Sequence, residues 1–272
     1  MKIGAVQFEP LFGEIDRNLE LAGSLIMRSD ASLMVLPELF NTGYLFRSKE
    51  EAISLSEEIP HGKTTQMLCD VAKEKGIFIV GGIAEKSGDR IFNSAVLVSP
   101  DGYIGRYRKV HLFLEEKLWF DPGDEGFRVY DTGVCKVGMM ICFDWFFPES
   151  MRVLSLMGAD IICHPANLVM PFCQDAMKTR CLENHVFAIT ANRIGTESRG
   201  EKSLHFTGGS QVTGPDGRVL CRAGEDSEET GIAEIDVKAA RDKKVNLYNN
   251  LFADRRPEFY RDLTVERDRQ EF

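Results

Sequence analysis

The sequence predicts an α/β protein built as one domain. Short apolar runs alternate with longer amphipathic stretches along its 272 residues, the rhythm of strands that alternate with helices. No Pro-, Gly- or Ser-rich linker divides the chain, and no repeat with a period of roughly 20–50 residues recurs. A chain of this length in an α/β fold commonly forms a single unit with an ample core.

Lys2 to Phe8 reads as the first strand and Asp16 to Arg28 as a helix with Leu19, Leu21, Leu25 and Ile26 on its apolar side. Ser32 to Leu36 is again strand-like. Thr64 to Lys75 is helical and stops before Gly76, as helices often do. Ile77 to Val80 and Ala95 to Val98 then read as strands. The second half repeats the pattern with a strand at Val137 to Ile141, a helix near Pro148 to Met157, a strand at Asp160 to Cys163, a helix ending about His185 and a strand at Val186 to Thr190. The stretch from Asn246 to Phe272 is rich in Arg, Asp, Glu and aromatics without a core-forming pattern, so it reads as a frayed tail or as an arm for oligomerisation.

Composition narrows the function. With 33 basic and 42 acidic residues the net charge is −9, which argues against a nucleic-acid partner, because a basic surface supplies most of that affinity. No apolar stretch approaches the ~18 residues that span a bilayer. The amino terminus enters strand-like sequence without a basic segment and apolar core, so no membrane partner and a cytoplasmic location are expected. Seven cysteines, an odd number without C-x-x-C spacing, favour reduced thiols. His61, His111, His164, His185 and His205 show no metal-ligand spacing, and neither a metal nor a cofactor is expected. Gly195 to Ser203 approaches a P-loop, but an extra residue separates Gly200 from Lys202; G-x-S-x-G and G-x-G-x-x-G are absent.

The chemistry-bearing residues gather at three strand ends. Cys142 closes the apolar run Val137–Ile141 and is followed by Phe143-Asp144-Trp145-Phe146-Phe147-Pro148-Glu149, a turn leading into a helix. Ligands in open α/β folds bind beyond the carboxyl ends of strands, and a helix start just after a thiol helps to lower its pKa. A lone cysteine is more often a small buried hydrophobe, so its companions decide its meaning. Glu38 ends the run Ser32–Pro37 as a candidate general base, and Arg106, Arg108 and Lys109 offer one cation that points inward.

Taken together, Leu36-Pro37-Glu38 with Thr42-Gly43-Tyr44, Tyr107-Arg108-Lys109-Val110-His111-Leu112, and Ile141-Cys142-Phe143-Asp144 with Pro148-Glu149 resemble the carbon-nitrogen hydrolase (nitrilase) superfamily. The resemblance spans almost the whole chain, from Ile3 to Asp236. It implies a four-layer α-β-β-α sandwich and a homodimer or higher homo-oligomer, with the carboxy-terminal arm crossing a partner subunit. It also implies that Cys142 is the nucleophile, Glu38 the base, and Lys109 the stabiliser of the oxyanion together with the backbone N–H of Phe143. For the second glutamate the carbamoyl-hydrolase pattern points to Glu116, with Glu115 as fallback. Tyr44, Phe143, Trp145 and Asn167 are candidate substrate contacts. Phe146 reads rather as core packing, and Glu183 and Asn184 as structural residues near the site.

The expected activity is hydrolysis of a small carboxamide to acid and ammonia through a Cys142 thioester. Nitrile or N-carbamoyl amine hydrolysis on the same site is the alternative. Phe143 and Trp145 depart from the plant carbamoyl enzyme's pattern, which argues against a polyamine substrate. A non-catalytic metabolite sensor or scaffold on this fold is the reading from another class.

Overall fold

The computed structural model describes residues 1–265. Two units divide the chain, one from Met1 to Arg241 and a second from Asp242 onward. Most of the stretch expected as an arm, 246–265, lies in the second unit, and 266–272 fall outside the described residues. That unit holds an isolated bridge between Lys244 and Asn250 and two short 3-10 turns, Pro257–Phe259 and Arg261–Leu263.

Both sheets belong to the first unit. The first contains β1 (Lys2–Gln7), β2 (Leu33–Val35), β3 (Phe78–Ser87), β4 (Arg90–Ser99), β5 (Gly102–Arg108) and β14 (Glu229–Glu234), in the order β14-β1-β2-β3-β4-β5. The second contains β6 (Val129–Asp131), β7 (Lys136–Met139), β8 (Ile161–Pro165), β9 (Phe187–Ala191), β12 (Gln211–Thr213) and β13 (Val219–Arg222), in the order β13-β12-β9-β8-β7-β6. β10 (Thr196–Arg199) and β11 (Lys202–His205) form a separate hairpin. In each sheet a parallel trio, β1-β2-β3 or β7-β8-β9, forms the centre, and antiparallel strands flank it.

The two-residue period of the strands builds the layers. Ile3, Ala5, Leu33, Val35, Ala95 and Leu97 point into a core shared with Val137, Met139, Ile161, Cys163 and Ile189 of the opposite sheet. Their neighbours Val6, Met34, Leu36, Val96 and Val98 point the other way, onto Leu19, Ala22 and Ile26 of α1 (Ile15–Met27) and Leu68 and Ala72 of α3 (Lys63–Lys75). The far side of the second sheet is covered by α5 (Pro148–Leu156) and α6 (Cys173–Asn184) through Met151, Leu154, Met177 and Cys181. The result is the four-layer α-β-β-α sandwich. Two short helices, α2 (Lys49–Leu55) and α4 (Glu116–Trp119), lie in the loops that follow β2 and β5.

The structure corrects the sequence reading in its polar elements. β3 and β4 extend well beyond Ile77–Val80 and Ala95–Val98, and turn through Gly88 at φ +60°. Their outer ends carry Glu85, Lys86, Ser87 and Arg90, which show no apolar alternation, so only the ladder between the strands reveals them. α2, β6 and the β10–β11 hairpin are short or polar for the same reason. Among the described residues no helix is long and apolar enough to cross a membrane. All seven cysteines are free.

Candidate active site

Three loops that leave β2, β5 and β7 at their carboxyl ends bring the chemistry together. After β2 the chain stays pinned to β3: Leu36 N–H donates to Val80 O at 2.8 Å, and Gly82 N–H to Pro37 O at 3.2 Å. A Cβ on Gly82 would lie 2.5 Å from Glu38 Cα, so only glycine admits this close approach. Glu38 is thereby driven into the interior, fully buried. Its Oε1 accepts from Asn93 Nδ2 at 2.7 Å and from Lys109 Nζ at 2.7 Å, while Oε2 has no partner among the described residues.

Lys109 follows the last residue of β5, its backbone N–H donating to Asn93 O at 2.8 Å. Its ammonium bridges Glu38 and Glu116, reaching Glu116 Oε1 at 2.8 Å and Oε2 at 2.7 Å. Tyr44 hydroxyl donates to Glu116 Oε1 at 2.6 Å and Phe113 N–H to Oε2 at 3.3 Å, so Glu116 is held on both oxygens. Glu115 turns outward and pairs with Lys202 at the surface. Arg108 and Arg106, the other two cations of the segment, turn to Glu85 instead.

Cys142 opens a five-residue 3-10 turn after β7, at φ +38°, a left-handed conformation that costs a non-glycine residue on the order of 1–3 kcal/mol. The strain is offset by Asp144, fully buried, which accepts from Ile141 N–H at 2.8 Å and Tyr107 hydroxyl at 2.8 Å through Oδ2, and from His111 N–H at 3.2 Å through Oδ1. One carboxylate therefore ties the thiol's turn to the segment that carries Lys109. Cys142 Sγ lies 3.7 Å from the backbone oxygen of Asn167 and is 5% exposed.

Burial governs the electrostatics. Desolvation raises the Glu38 carboxyl to about 7, opposed by Lys109 and reinforced by the charge of Glu116. Burial works against the Lys109 ammonium, but Glu116 and Glu38 outweigh it and hold the pKa above the ordinary lysine value. The Cys142 thiol is pushed well up by burial and then by Glu38, with Lys109 opposing. The expected lowering by a helix start does not appear: the thiol heads a single 3-10 turn rather than the helix itself, which begins at Pro148, and it is buried near the charge of Glu38.

A narrow slot leads to the thiol between Phe113, Phe143, Trp145, Asn167 and Met170. The side-chain amide of Asn167 is buried and unpartnered on both N and O among the described residues. Trp145 is buried and Phe143 half-buried beside it. Phe146 departs from its expected core position. It is 50% exposed, because the tight turn swings it outward, where it packs on Phe143 and Trp145. Tyr44 faces a separate cleft of about 390 Å³ with Leu45, Phe46, Glu116, Trp119 and Phe120. Glu183 and Asn184 stay away from the slot: Glu183 pairs with Arg180 at 3.2 Å, and Arg180 reaches Trp145 O at 3.4 Å.

The carbon-nitrogen hydrolase family model matches residues 2–244. This chain belongs to the carbon-nitrogen hydrolase (nitrilase) superfamily. It is 52% identical to a nitrilase of Pyrococcus abyssi over 96% of this chain and 99% of the relative. An (R)-stereoselective amidase of Pseudomonas sp. is 35% identical over 89% and 88% of the two chains. The crystal structure of a carbon-nitrogen hydrolase from Helicobacter pylori superposes with a TM-score of 0.89 at 26% identity, over 98% of this chain and 99% of that one. The protein is therefore an enzyme that acts on non-peptide carbon-nitrogen bonds.

Several supporting residues of this carbon-nitrogen hydrolase escape a linear reading. Asn93 lies on β4, 55 residues from the Glu38 it contacts. Tyr107 and Asp144 stand within the quoted motifs, but only the fold shows that their side chains meet, at 2.8 Å. Arg193 and Glu197, buried and paired at 2.7 Å, secure the Tyr44 loop: Glu197 accepts the backbone N–H of Tyr44 at 3.1 Å and that of Leu45. No sequence signal marks them beyond the i,i+4 spacing of opposite charges, which occurs widely on surfaces.

Because Lys109 is buried between two carboxylates, its replacement leaves them uncompensated. Lys109→Met is expected to lower unfolding stability by about 3–5 kcal/mol, read as a shifted urea midpoint at pH 7.5. A midpoint unchanged from the parent would show that the ammonium does not hold the carboxylates in the fold.

Proposed function

We propose that this enzyme is an amidase that converts a small carboxamide to its acid and ammonia through a thioester on Cys142. The observation that carries this reading is that Lys109 hydrogen-bonds both Glu38 and Glu116, and that all three charges act on the buried Cys142 thiol, which lines the slot between Phe113, Phe143 and Trp145. Cys142 Sγ attacks the carbonyl carbon as Glu38 takes the thiol proton. A positioned base of this kind is typically worth ~10²–10⁴ in rate. The C=O electron pair moves onto oxygen, where Lys109 and the Phe143 N–H stabilise the negative charge. Collapse breaks the C–N bond, and the nitrogen leaves as ammonia with the proton that Glu38 held. Water, deprotonated by Glu38, then adds to the thioester; the C–S bond breaks, and acid and thiol are released. Glu116 anchors the ammonium and faces the leaving nitrogen.

The narrow slot favours a compact acyl group. Its walls Phe113, Phe143 and Trp145 are apolar, and the Asn167 amide, unpartnered among the described residues, offers an NH2 donor group and an acceptor oxygen to a polar substituent. The amidase relative, 35% identical, supports carboxamides. The nitrilase relative, 52% identical, favours a second reading, in which the thiol adds to a nitrile and two waters are consumed before acid and ammonia leave. Either reaction involves a soluble small molecule, and the reading keeps a cytoplasmic homo-oligomer with no nucleic-acid or membrane partner.

Ammonia release from a panel of small amides, carbamoyl amines and nitriles tests the choice, with hydroxylamine added to trap the acyl group. We expect the amides to be fastest and to give the hydroxamate. Nitriles outpacing every amide would establish the second reading, and silence across the panel would overturn both.

A further inference from the structure

We propose that His164 is a positioning residue for the reaction: it holds the carbonyl of Cys142 so that the other end of the same peptide, the Phe143 N–H, is aimed at the developing oxyanion. This rests on the reading of Cys142 as nucleophile and Phe143 N–H as oxyanion donor.

His164 lies on β8, the strand beside the one that leads to Cys142, and is fully buried. Its Nε2 is 2.9 Å from the backbone oxygen of Cys142 and its Nδ1 is 3.1 Å from Thr190 Oγ1 on β9. A carbonyl oxygen only accepts, so Nε2 carries the hydrogen, and in a neutral ring Nδ1 then accepts from the threonine hydroxyl. Burial lowers the pKa of the ring to about 4, which keeps it neutral through the working range. The Cys142 carbonyl thus sets the tautomer, and Thr190 on β9 holds the other nitrogen.

The consequence follows from peptide geometry. The Cys142–Phe143 peptide is trans and planar, so its N–H points opposite to its C=O. Fixing the oxygen on one side fixes the direction of the hydrogen on the other. Cys142 needs this because its φ of +38° is a conformation that the chain would otherwise relax. Asp144 ties down Ile141 N–H on the amino side of the thiol, and His164 holds the carbonyl on the other side. Nothing in the acid–base chemistry uses the imidazole, although it lies against the nucleophile's own backbone.

The test separates oxyanion stabilisation from thiol reactivity. His164→Leu removes the donor, His164→Gln returns an N–H near the position of Nε2, and Thr190→Val removes the hydroxyl that Nδ1 accepts from and that orients the ring. Each is compared with the parent for kcat and KM on the best amide of the panel, and for alkylation of Cys142 by iodoacetamide. Propionaldehyde, whose addition to the thiol creates an oxyanion, is scored by the concentration that half-protects Cys142 from that alkylation. For His164→Leu we expect kcat to fall about 10²–10³-fold with KM and the shape of the pH profile unchanged. The half-protecting aldehyde concentration should rise by a similar factor while alkylation without aldehyde changes less than about threefold, and His164→Gln should recover most of the loss.

Equal losses in alkylation and turnover would overturn the proposal, since His164 would then act on the thiol itself. So would kcat and aldehyde protection within about threefold of the parent. If the leucine variant does not fold, Thr190→Val decides: a fall in kcat and in aldehyde protection of about fivefold or more supports the role, and parent-like values in both overturn it. Failure of the underlying reading appears separately, as iodoacetamide labelling that leaves the parent's turnover intact.

Discussion

Cys142→Ala is expected to abolish ammonia release, by a factor on the order of 10⁴–10⁶, while the protein stays folded. The magnitude follows from the nature of the step. Without Sγ no thioester forms, and the remaining donors, Lys109 and the Phe143 N–H, can only polarise an amide for direct attack by water, which residual sites achieve poorly. Stability should change by only about 1 kcal/mol, because the thiol's hydrogen bond among the described residues is a long one, to the Asn167 carbonyl at 3.7 Å, and the strained φ of residue 142 persists in either variant. Hydroxamate formation in hydroxylamine should vanish together with ammonia release. Retention of more than about a hundredth of parental turnover by a folded alanine variant would remove Cys142 from the mechanism.

Glu38→Gln is expected to lower kcat by about 10²–10⁴ and to erase the acid limb of the pH profile. Burial first, and the charge of Glu116 with it, lift the Glu38 carboxyl to about 7 against the pull of Lys109. A base must be ionised to act, so kcat/KM in the parent should rise with pH through about 7 and level off above it. Stability runs in the opposite direction. Between the ordinary glutamate range and pH 7 the folded chain holds a proton that the unfolded chain has lost, so this contribution is fully present below the unfolded value and lost as pH rises through about 7. Glutamine cannot titrate, so its Tm should show less decline over that window. An acid limb near pH 7 that survives in Glu38→Gln would assign the titration to another group.

Both predictions concern residues whose type and order are visible in the chain. Glu38 and Cys142 each follow a compact apolar run, a local pattern that one-dimensional reading detects, whereas Lys109 follows Arg106-Tyr107-Arg108 and was singled out among the three cations by the resemblance. The choice between Glu115 and Glu116 was approachable only by resemblance. The two are adjacent, and the start of α4 after Leu114, itself at φ +46°, sends one to Lys109 and the other to Lys202. Phe146 illustrates the opposite failure. Its apolarity suggests burial, yet the turn at Cys142–Phe146 leaves it half exposed against Phe143 and Trp145.

The strand and helix rhythm, the α/β class and the positions of Glu38 and Cys142 belong to the linear chain, because hydrophobic period and strand-end position are local properties. The tertiary structure alone decided the rest. Asn93 reaches Glu38, Asp144 locks the thiol's turn to Tyr107 and His111, and His164 reaches the Cys142 carbonyl across a sheet. These partners are separated by 22 to 55 residues. The pKa values, too, came only with the fold, since desolvation depends on what surrounds a group in space and not on its neighbours in sequence.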